Sequence, residues 1–225
     1  MAATWLPLES NPDVMNKYLQ NLGVSEKWNI VDVFGLEEEA LQWIPRPTLG
    51  LILLYPVNEQ SEQRHAEEKT DEQKISPKVL YLKQYVHNAC GTIALIHSIA
   101  NNRDKIEIGD GPLKKFLDEA DGLDASKRGE LLQNAEGIIQ SHAEIALEGQ
   151  TAAPEPSTPI NFHFVAFVHV DGDLYELDGR RSGPVNHGPT TPEKFVEDAA
   201  KVCKQYIERD PNDVHFTVVA LAAKD

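Results

Sequence analysis

The chain has 225 residues, is 41% hydrophobic and carries a formal net charge of -15 with two cysteines. That length and apolar content suffice for one substantial core, so a single domain over residues 1–225 is expected, and the charge argues against nucleic-acid binding, which needs Lys and Arg clusters on phosphates. Cys90 and Cys203 give neither a metal-ligand spacing nor a disulfide framework, which leaves no metal site and predicts free thiols in a reducing, cytoplasmic compartment.

In chain order, Ser10-Asn11-Pro12 is a helix start, with a capping side chain followed by proline, and Val14, Tyr18, Leu19 and Leu22 repeat at helical spacing up to Gly23. Trp28 to Val33 reads as a strand, Glu37 to Trp43 as a short helix stopped by Pro45-Arg46-Pro47, and Thr48 to Tyr55 as a continuous apolar strand. Val57 to Lys78 is polar without periodicity, a solvated connection. Val79 to Gln84 has strand character and leads into an apolar helix from Cys90 to Ala100.

Pro112 to Ala120 carries Leu113, Phe116 and Leu117 on one face, and Ala125 to Leu147 supplies two more helical segments. Gly149 and three prolines make Glu148 to Pro159 a long irregular loop. Asn161 to Val170 and Asp173 to Leu177 are strands joined by Asp171-Gly172, a two-residue hairpin signal. A helix from Pro192 to Ile207 and a strand from Val214 to Leu221 complete the chain. Neither a signal peptide at Met1-Ala-Ala-Thr-Trp, nor a membrane span, nor a lipidation signal at Ala222-Ala-Lys-Asp is recognised, so a protein away from membranes is expected. The pattern predicts a mixed α/β (α+β) fold with a mostly antiparallel sheet flanked by helices.

Cys90 sits in the first turn of its helix, where unpaired N–H groups and the helix dipole favour thiolate over thiol. The hairpin supplies a candidate base. A two-residue turn pairs Val170 with Asp173, which puts Val165 opposite Asp178 and makes His163 and Asp178 diagonal neighbours on one face, within reach of a hydrogen bond that would orient the imidazole. A bulge would break this register. His169 has the same parity but lies beside the turn, where it is expected to be exposed; His97 stands two turns along the Cys90 helix, ~10 Å away. Gln84 can be read as an oxyanion donor or, with more weight from spacing alone, as a loop glutamine bonded to a carbonyl. Cys203, on an apolar helical stripe, reads as a buried structural residue.

Gln84, Asn88-Ala-Cys-Gly-Thr, His163 and Leu177-Asp-Gly-Arg resemble the ubiquitin C-terminal hydrolases of the small, single-domain class. The resemblance extends from Trp5-Leu-Pro-Leu-Glu through Pro45-Arg-Pro, Glu148-Gly-Gln-Thr, Asn186-His-Gly and Glu208-Arg-Asp-Pro to the last strand. It implies a papain-like fold with a knotted backbone and a cofactor-free thiol hydrolase that removes small adducts or peptides from the C-terminal glycine of ubiquitin. Cys90 would be nucleophile, His163 general base and acid, Asp178 its orienter and Gln84 the oxyanion donor.

The same resemblance places ubiquitin contacts at Pro7, Leu8, Glu9, Ser10, Asn11, Pro12, Asp13 and Asp32, and at Asp213, Val214, His215, Phe216, Thr217 and Val218. Glu9, Asp13 and Asp32 would meet the arginines of ubiquitin's tail. Ala146, Leu147, Glu148, Gly149, Gln150, Thr151, Ala152 and Ala153 would form the centre of a crossover loop that limits what can be attached. The expected partner is ubiquitin, met by a monomer; a ubiquitin-like modifier, or a ubiquitin-binding protein with little turnover, are the alternatives.

Overall fold

In the computed structural model, which describes residues 4–58, 63, 73–150, 160–209 and 213–224, the Asp171-Gly172 turn sets the register of the sheet. Both residues have positive φ, 51° and 87°, as a two-residue turn that matches strand twist requires. It joins β3 (Phe162–Val170) to β4 (Asp173–Leu177), and Val170 pairs with Asp173 and Ala166 with Leu177, as counted from the sequence. No bulge intervenes.

The other strands are β1 (Trp28–Asp32), β2 (Thr48–Pro56), β5 (Val185–Pro189) and β6 (Thr217–Ala223). They form a six-stranded sheet in the order β1-β6-β2-β3-β4-β5 whose strand pairs are all antiparallel. The central strands β2, β3 and β6 read as continuous apolar runs because both faces are covered. Ile52, Ala166, Val168, Val219 and Leu221 belong to one core, with α1 (Pro12–Asn21), α3 (Cys90–Ala100), α4 (Pro112–Ala120) and α6 (Glu136–Ala146). Leu51, Leu53, Val165, Phe167 and Ala220 belong to a second core under α2 (Glu38–Leu41) and α7 (Phe195–Arg209). The eight-residue α5 (Ala125–Leu132) packs beside α4.

Four expectations need correction. The last strand runs from Thr217 to Ala223 rather than from Val214 to Leu221. Residues 79–84 do not form a strand. Their backbone groups are taken by side chains and loops instead: Leu80 N–H donates to Asn101 Oδ1 (2.7 Å), Leu82 N–H to His97 Nε2 (3.1 Å), Lys83 N–H to the Ala125 carbonyl and Gln84 N–H to the Gly179 carbonyl (2.8 Å). Strand β5 was not expected, since Val-Asn-His-Gly-Pro is poor strand material. As an edge strand it tolerates Pro189, and Asn186 Nδ2 ties it to Asp173 Oδ2 at 3.0 Å. Finally, α7 begins at Phe195 rather than Pro192, after a turn closed by Lys194 N–H to the Thr191 carbonyl.

Candidate active site

Cys90 opens α3, and the helix has no side chain capping its first turn. Its N-terminal N–H groups are therefore free to act on the thiol or on an anion beside it. Asn88, two residues earlier, adopts φ 62°, a left-handed conformation that Asn tolerates, and anchors the entry with Nδ2 donating to the Trp5 carbonyl (3.0 Å). Gly91 keeps the helix close to its surroundings: a Cβ there would lie 3.1 Å from Leu8 Cβ and 3.3 Å from the Phe164 ring.

His163, at the start of β3, is buried, and its Nε2 lies 2.6 Å from Asp178 Oδ1. Asp178 follows β4 directly and is fully buried; the same Oδ1 accepts the Arg180 N–H at 2.9 Å. With Nε2 held by the carboxylate, Nδ1 is the ring nitrogen left for the thiol. Burial alone would lower the His163 pKa, but the charge and hydrogen bond of Asp178, with help from Cys90, outweigh it and push it from 6.5 up to about 10. Burial likewise pushes the half-buried Cys90 thiol up, yet the hydrogen bond and charge of His163, with backbone hydrogen bonds from Phe164 and Gly91, bring it below its ordinary 9.0. The two shifts are one effect seen from both partners: a thiolate and an imidazolium stabilise each other.

Gln84 approaches from the irregular segment before α3. Its Nε2 donates to the Val86 carbonyl at 3.1 Å, which is the bland role weighed from the sequence, and its buried Oε1 has no hydrogen-bond partner. An amide nitrogen has two hydrogens, so one remains for an acceptor in the cleft that Gln84 lines together with Cys90 and His163. Gly179 fixes the residue from behind: its carbonyl accepts the Gln84 N–H, and a Cβ on it would lie 3.1 Å from Gln84 Cβ. A hydrogen-bonded base, a thiol at a helix N-terminus and an amide donor on one cleft can form and resolve an acyl-enzyme.

The other predicted residues divide by position. Pro7, Leu8, Glu9 and Ser10 line a cavity of about 250 Å³ that reaches Cys90, and Ala146 lines it too. Leu8 is itself buried and supports this wall rather than presenting a surface. The segment is held by a buried relay in which His142 Nε2 meets the Leu6 carbonyl (2.7 Å), His142 Nδ1 meets Thr92 Oγ1 (2.8 Å) and Thr92 meets the Tyr18 hydroxyl (3.0 Å). Asn11 caps α1 by accepting the Asp13 N–H (2.9 Å), Pro12 starts that helix, and Asp13 and Asp32 are exposed.

At the other end of the chain, Asp213 binds the His215 ring (2.8 Å), which makes a T-shaped contact with Phe162 beside the cleft. Val214 is exposed, Phe216 and Thr217 are half-buried, and Val218 is buried inside β6. Leu147 is exposed, as are Glu148 and Gln150; Glu148 pairs with Lys17 of α1 at 2.6 Å, and a Cβ on Gly149 would collide with the Glu9 carboxylate. Thr151, Ala152 and Ala153 lie outside the described residues.

The decoys separate by environment. His97 is fully buried and burial lowers its pKa to about 4, so it stays neutral and serves the Leu82 N–H. His169 is half-buried rather than exposed as expected, with burial lowering its pKa, and it lines a different cavity. Cys203 is fully buried and burial pushes its thiol well up, which makes it inert. Sequence reasoning gave no role to Tyr85, His87, Ile160, Phe162 or Arg180, which also line the cleft beside Cys90. Arg180 stood in the quoted Leu177-Asp-Gly-Arg motif, so adjacency to Asp178 was the available signal. Among the described residues no group of His, Cys, Asp and Glu is placed to hold a metal ion, and no helix is long and apolar enough to cross a membrane.

Residues 5–208 match the family described as ubiquitin carboxyl-terminal hydrolase, family 1. A ubiquitin carboxyl-terminal hydrolase of Drosophila melanogaster is 50% identical over 224 residues, covering 98% of both chains. The isozyme L1 of Homo sapiens is 44% identical over 218 residues, covering 96% of both. Among solved structures, the UCH37 catalytic domain of Trichinella spiralis bound to ubiquitin vinyl methyl ester superposes with a TM-score of 0.79 at 27% identity, covering 98% of this chain and 96% of that one. A match over nearly the whole chain, at these identities and around this cleft, places the protein in the ubiquitin carboxyl-terminal hydrolases of family 1, a family of thiol hydrolases.

Proposed function

We propose that this chain hydrolyses the bond that follows the C-terminal glycine of ubiquitin, releasing small adducts or peptides through a thioester on Cys90. The observation that carries the reading is the 2.6 Å bond between His163 and the buried Asp178 beside a thiol at a helix N-terminus. The Cys90 thiolate attacks the glycine carbonyl carbon, and the oxyanion takes hydrogen bonds from the Cys90 N–H and Gln84 Nε2. His163 gives its proton to the departing amine or thiol as the carbon–heteroatom bond breaks. The neutral imidazole then takes a proton from water, hydroxide adds to the thioester, and the thiolate leaves as ubiquitin's carboxyl is released. Asp178 holds the ring in one orientation throughout and stabilises its charged form.

Glu9, Asp13 and Asp32 offer carboxylates to the arginines of ubiquitin's tail, and the segments at residues 7–13 and 213–218 flank the cleft they would serve. Residues 146–153 act as the loop under which the tail threads, which restricts leaving groups to small or flexible ones. The two free thiols fit a cytoplasmic setting.

The test is release of a fluorophore from ubiquitin's C-terminus, with ubiquitin binding measured in parallel. The intact protein turns over and binds; Cys90→Ser binds without turnover. Binding without turnover in the intact protein would reject the hydrolase in favour of a ubiquitin-binding role.

A further inference from the structure

The elements that line the cavity of about 250 Å³ at Cys90 include the segment at residues 7–10, the first residue of α3 and Ala146, the last residue of α6. A cavity walled by separate elements keeps its shape only if something fixes their spacing. One side chain joins all three. His142 lies on α6 one turn before Ala146, so the two share a helix face. Its Nε2 meets the Leu6 carbonyl (2.7 Å), directly before the segment, and its Nδ1 meets Thr92 Oγ1 (2.8 Å), two residues after Cys90 in α3.

The hydrogens of this relay run in a single direction. A carbonyl only accepts, so Nε2 carries the ring hydrogen and donates to Leu6. Burial holds the His142 pKa below its ordinary 6.5, so the ring is neutral at pH 7 and Nδ1 accepts from the Thr92 hydroxyl. Thr92 Oγ1 then accepts from the Tyr18 hydroxyl at 3.0 Å. His142, Thr92 and Tyr18 are all buried, so a bond broken there leaves a polar group away from water. The Trp5 ring lies against the imidazole, with centroids 4.6 Å apart, and the Trp5 carbonyl takes Asn88 Nδ2 at 3.0 Å, two residues before Cys90. Little slack remains beyond Leu6: a Cβ on Gly91 would lie 3.1 Å from Leu8 Cβ.

In the hydrolysis proposed above, on which this inference rests, the departing atom takes its proton from His163, which does not line this cavity. The acyl tail therefore occupies it, and the leaving group occupies the cavity that His163 lines. We infer that His142 is a positioning residue for the tail: by bracing the Leu6 carbonyl against the first turn of α3, it sets the width of the cavity that receives the residues before the terminal glycine. It acts through the wall at residues 7–10 and through Ala146, not on the reacting atoms.

The test measures the tail's own share of binding. Affinities for intact ubiquitin and for ubiquitin truncated before its tail are compared in Cys90→Ser, where nothing turns over, with His142→Leu, His142→Gln or Thr92→Val added. The ratio of the two affinities is expected to fall about tenfold in His142→Leu, the scale of a broken buried hydrogen bond. Truncated ubiquitin should bind as before. His142→Gln, whose amide offers the same donor and acceptor, should keep the ratio within about twofold. Thr92→Val removes the α3 end of the relay and keeps the ring; it should lower the ratio too, and it serves where His142→Leu does not fold. With Cys90 restored, KM for fluorophore release should rise by the same factor while the pH midpoint of Cys90 alkylation holds. An unchanged ratio in folded His142→Leu or Thr92→Val, or a ratio in His142→Gln as low as in His142→Leu, overturns the inference. Equal affinity of Cys90→Ser for both ubiquitins does so as well, as does an equal loss for truncated ubiquitin, which marks a general structural role. Absence of turnover by the intact protein defeats the hydrolase reading instead, and the affinity ratio still decides the role of His142.

Discussion

Replacing Asp178 by Asn removes a charge while keeping the shape that holds His163. Asp178 is fully buried, and its Oδ1 takes both the His163 ring at 2.6 Å and the Arg180 N–H at 2.9 Å. Burial alone would lower the His163 pKa, yet it stands at about 10 instead of 6.5, with Asp178 the main reason. At about 1.4 kcal/mol per pKa unit, that rise is worth about 5 kcal/mol in favour of the imidazolium. In Asp178→Asn burial is opposed by the thiolate alone, so the imidazolium loses most of this support. If most of it carries into the transition state, where His163 is charged, kcat falls about a thousandfold. Two assays read this separately: kcat for fluorophore release, and the pH midpoint of Cys90 alkylation by iodoacetamide. The midpoint lies below 9.0 in the intact protein, because Cys90 is stabilised as thiolate, and moves up in the variant, where the charge of His163 is weakened and the backbone hydrogen bonds from Phe164 and Gly91 are left to oppose burial. Stability should respond as well. A raised histidine pKa stabilises the fold fully below about 6.5 and loses that contribution as pH rises through about 10, so the intact protein's melting temperature falls over this alkaline window and the fall is shallower in Asp178→Asn. A folded variant with kcat within tenfold of the intact protein and an unmoved alkylation midpoint would refute the reasoning.

Gln84→Ala should lower kcat by about 10²- to 10³-fold with little change in KM, since the proposed donor would act on an oxyanion that exists only along the reaction; a rise in KM at constant kcat would reassign Gln84 to substrate binding. Gly179→Ala inserts a Cβ 3.1 Å from Gln84 Cβ and 3.2 Å from Ile93 Cγ2, and by displacing Gln84 it should reduce kcat about tenfold while the pH midpoint of Cys90 alkylation stays fixed. Brief iodoacetamide treatment of the folded protein should label Cys90 and spare Cys203, as peptide mapping would show, because Cys203 is fully buried and its thiol is pushed up. Gly129→Ala forces a Cβ into the Lys83 carbonyl and should cost stability, by about 1–3 kcal/mol in denaturant unfolding, as overpacking does.

The elements readable from the sequence are those whose signal is local. The Asp171-Gly172 turn carries its own conformational requirement, and once it is placed, period-two counting delivers His163 to Asp178 without any knowledge of the rest of the fold. The Cys90 helix announces itself by a largely apolar run from Cys90 to Ala100. What failed depended on partners distant in sequence. Residues 79–84 have strand composition, but His97 in the last turn of α3 and Asn101 just after it take up backbone groups a neighbouring strand would have paired. The same distance hides β5, whose pairing rests on β4 and on Asn186 rather than on the propensity of its residues. Arg180 was in view beside Asp178, yet its significance depends on which residues share its cavity, and that is a property of the folded chain.

The turn at residues 178–181 explains how the proposed orienter and oxyanion donor stay in register although they come from segments about a hundred residues apart in the chain. The Tyr81 hydroxyl sits 2.6 Å from the Asp178 carbonyl and 2.8 Å from that of Arg181, while Gln84, three residues after Tyr81, bonds to the Gly179 carbonyl. The Arg181 side chain adds a buried ion pair to Glu176 at 3.2 Å, and Glu176 is held in turn by Tyr206 and His187. Irregular backbone is thus fixed by hydrogen bonds to the Asp178, Gly179 and Arg181 carbonyls, in place of the ladder a strand would have supplied. A strand at 79–84 paired to another neighbour would have spent the Gln84 N–H there and taken it from the Gly179 carbonyl. The departure from strand geometry ties Gln84, which lines the cleft, to the turn that carries Asp178 behind His163.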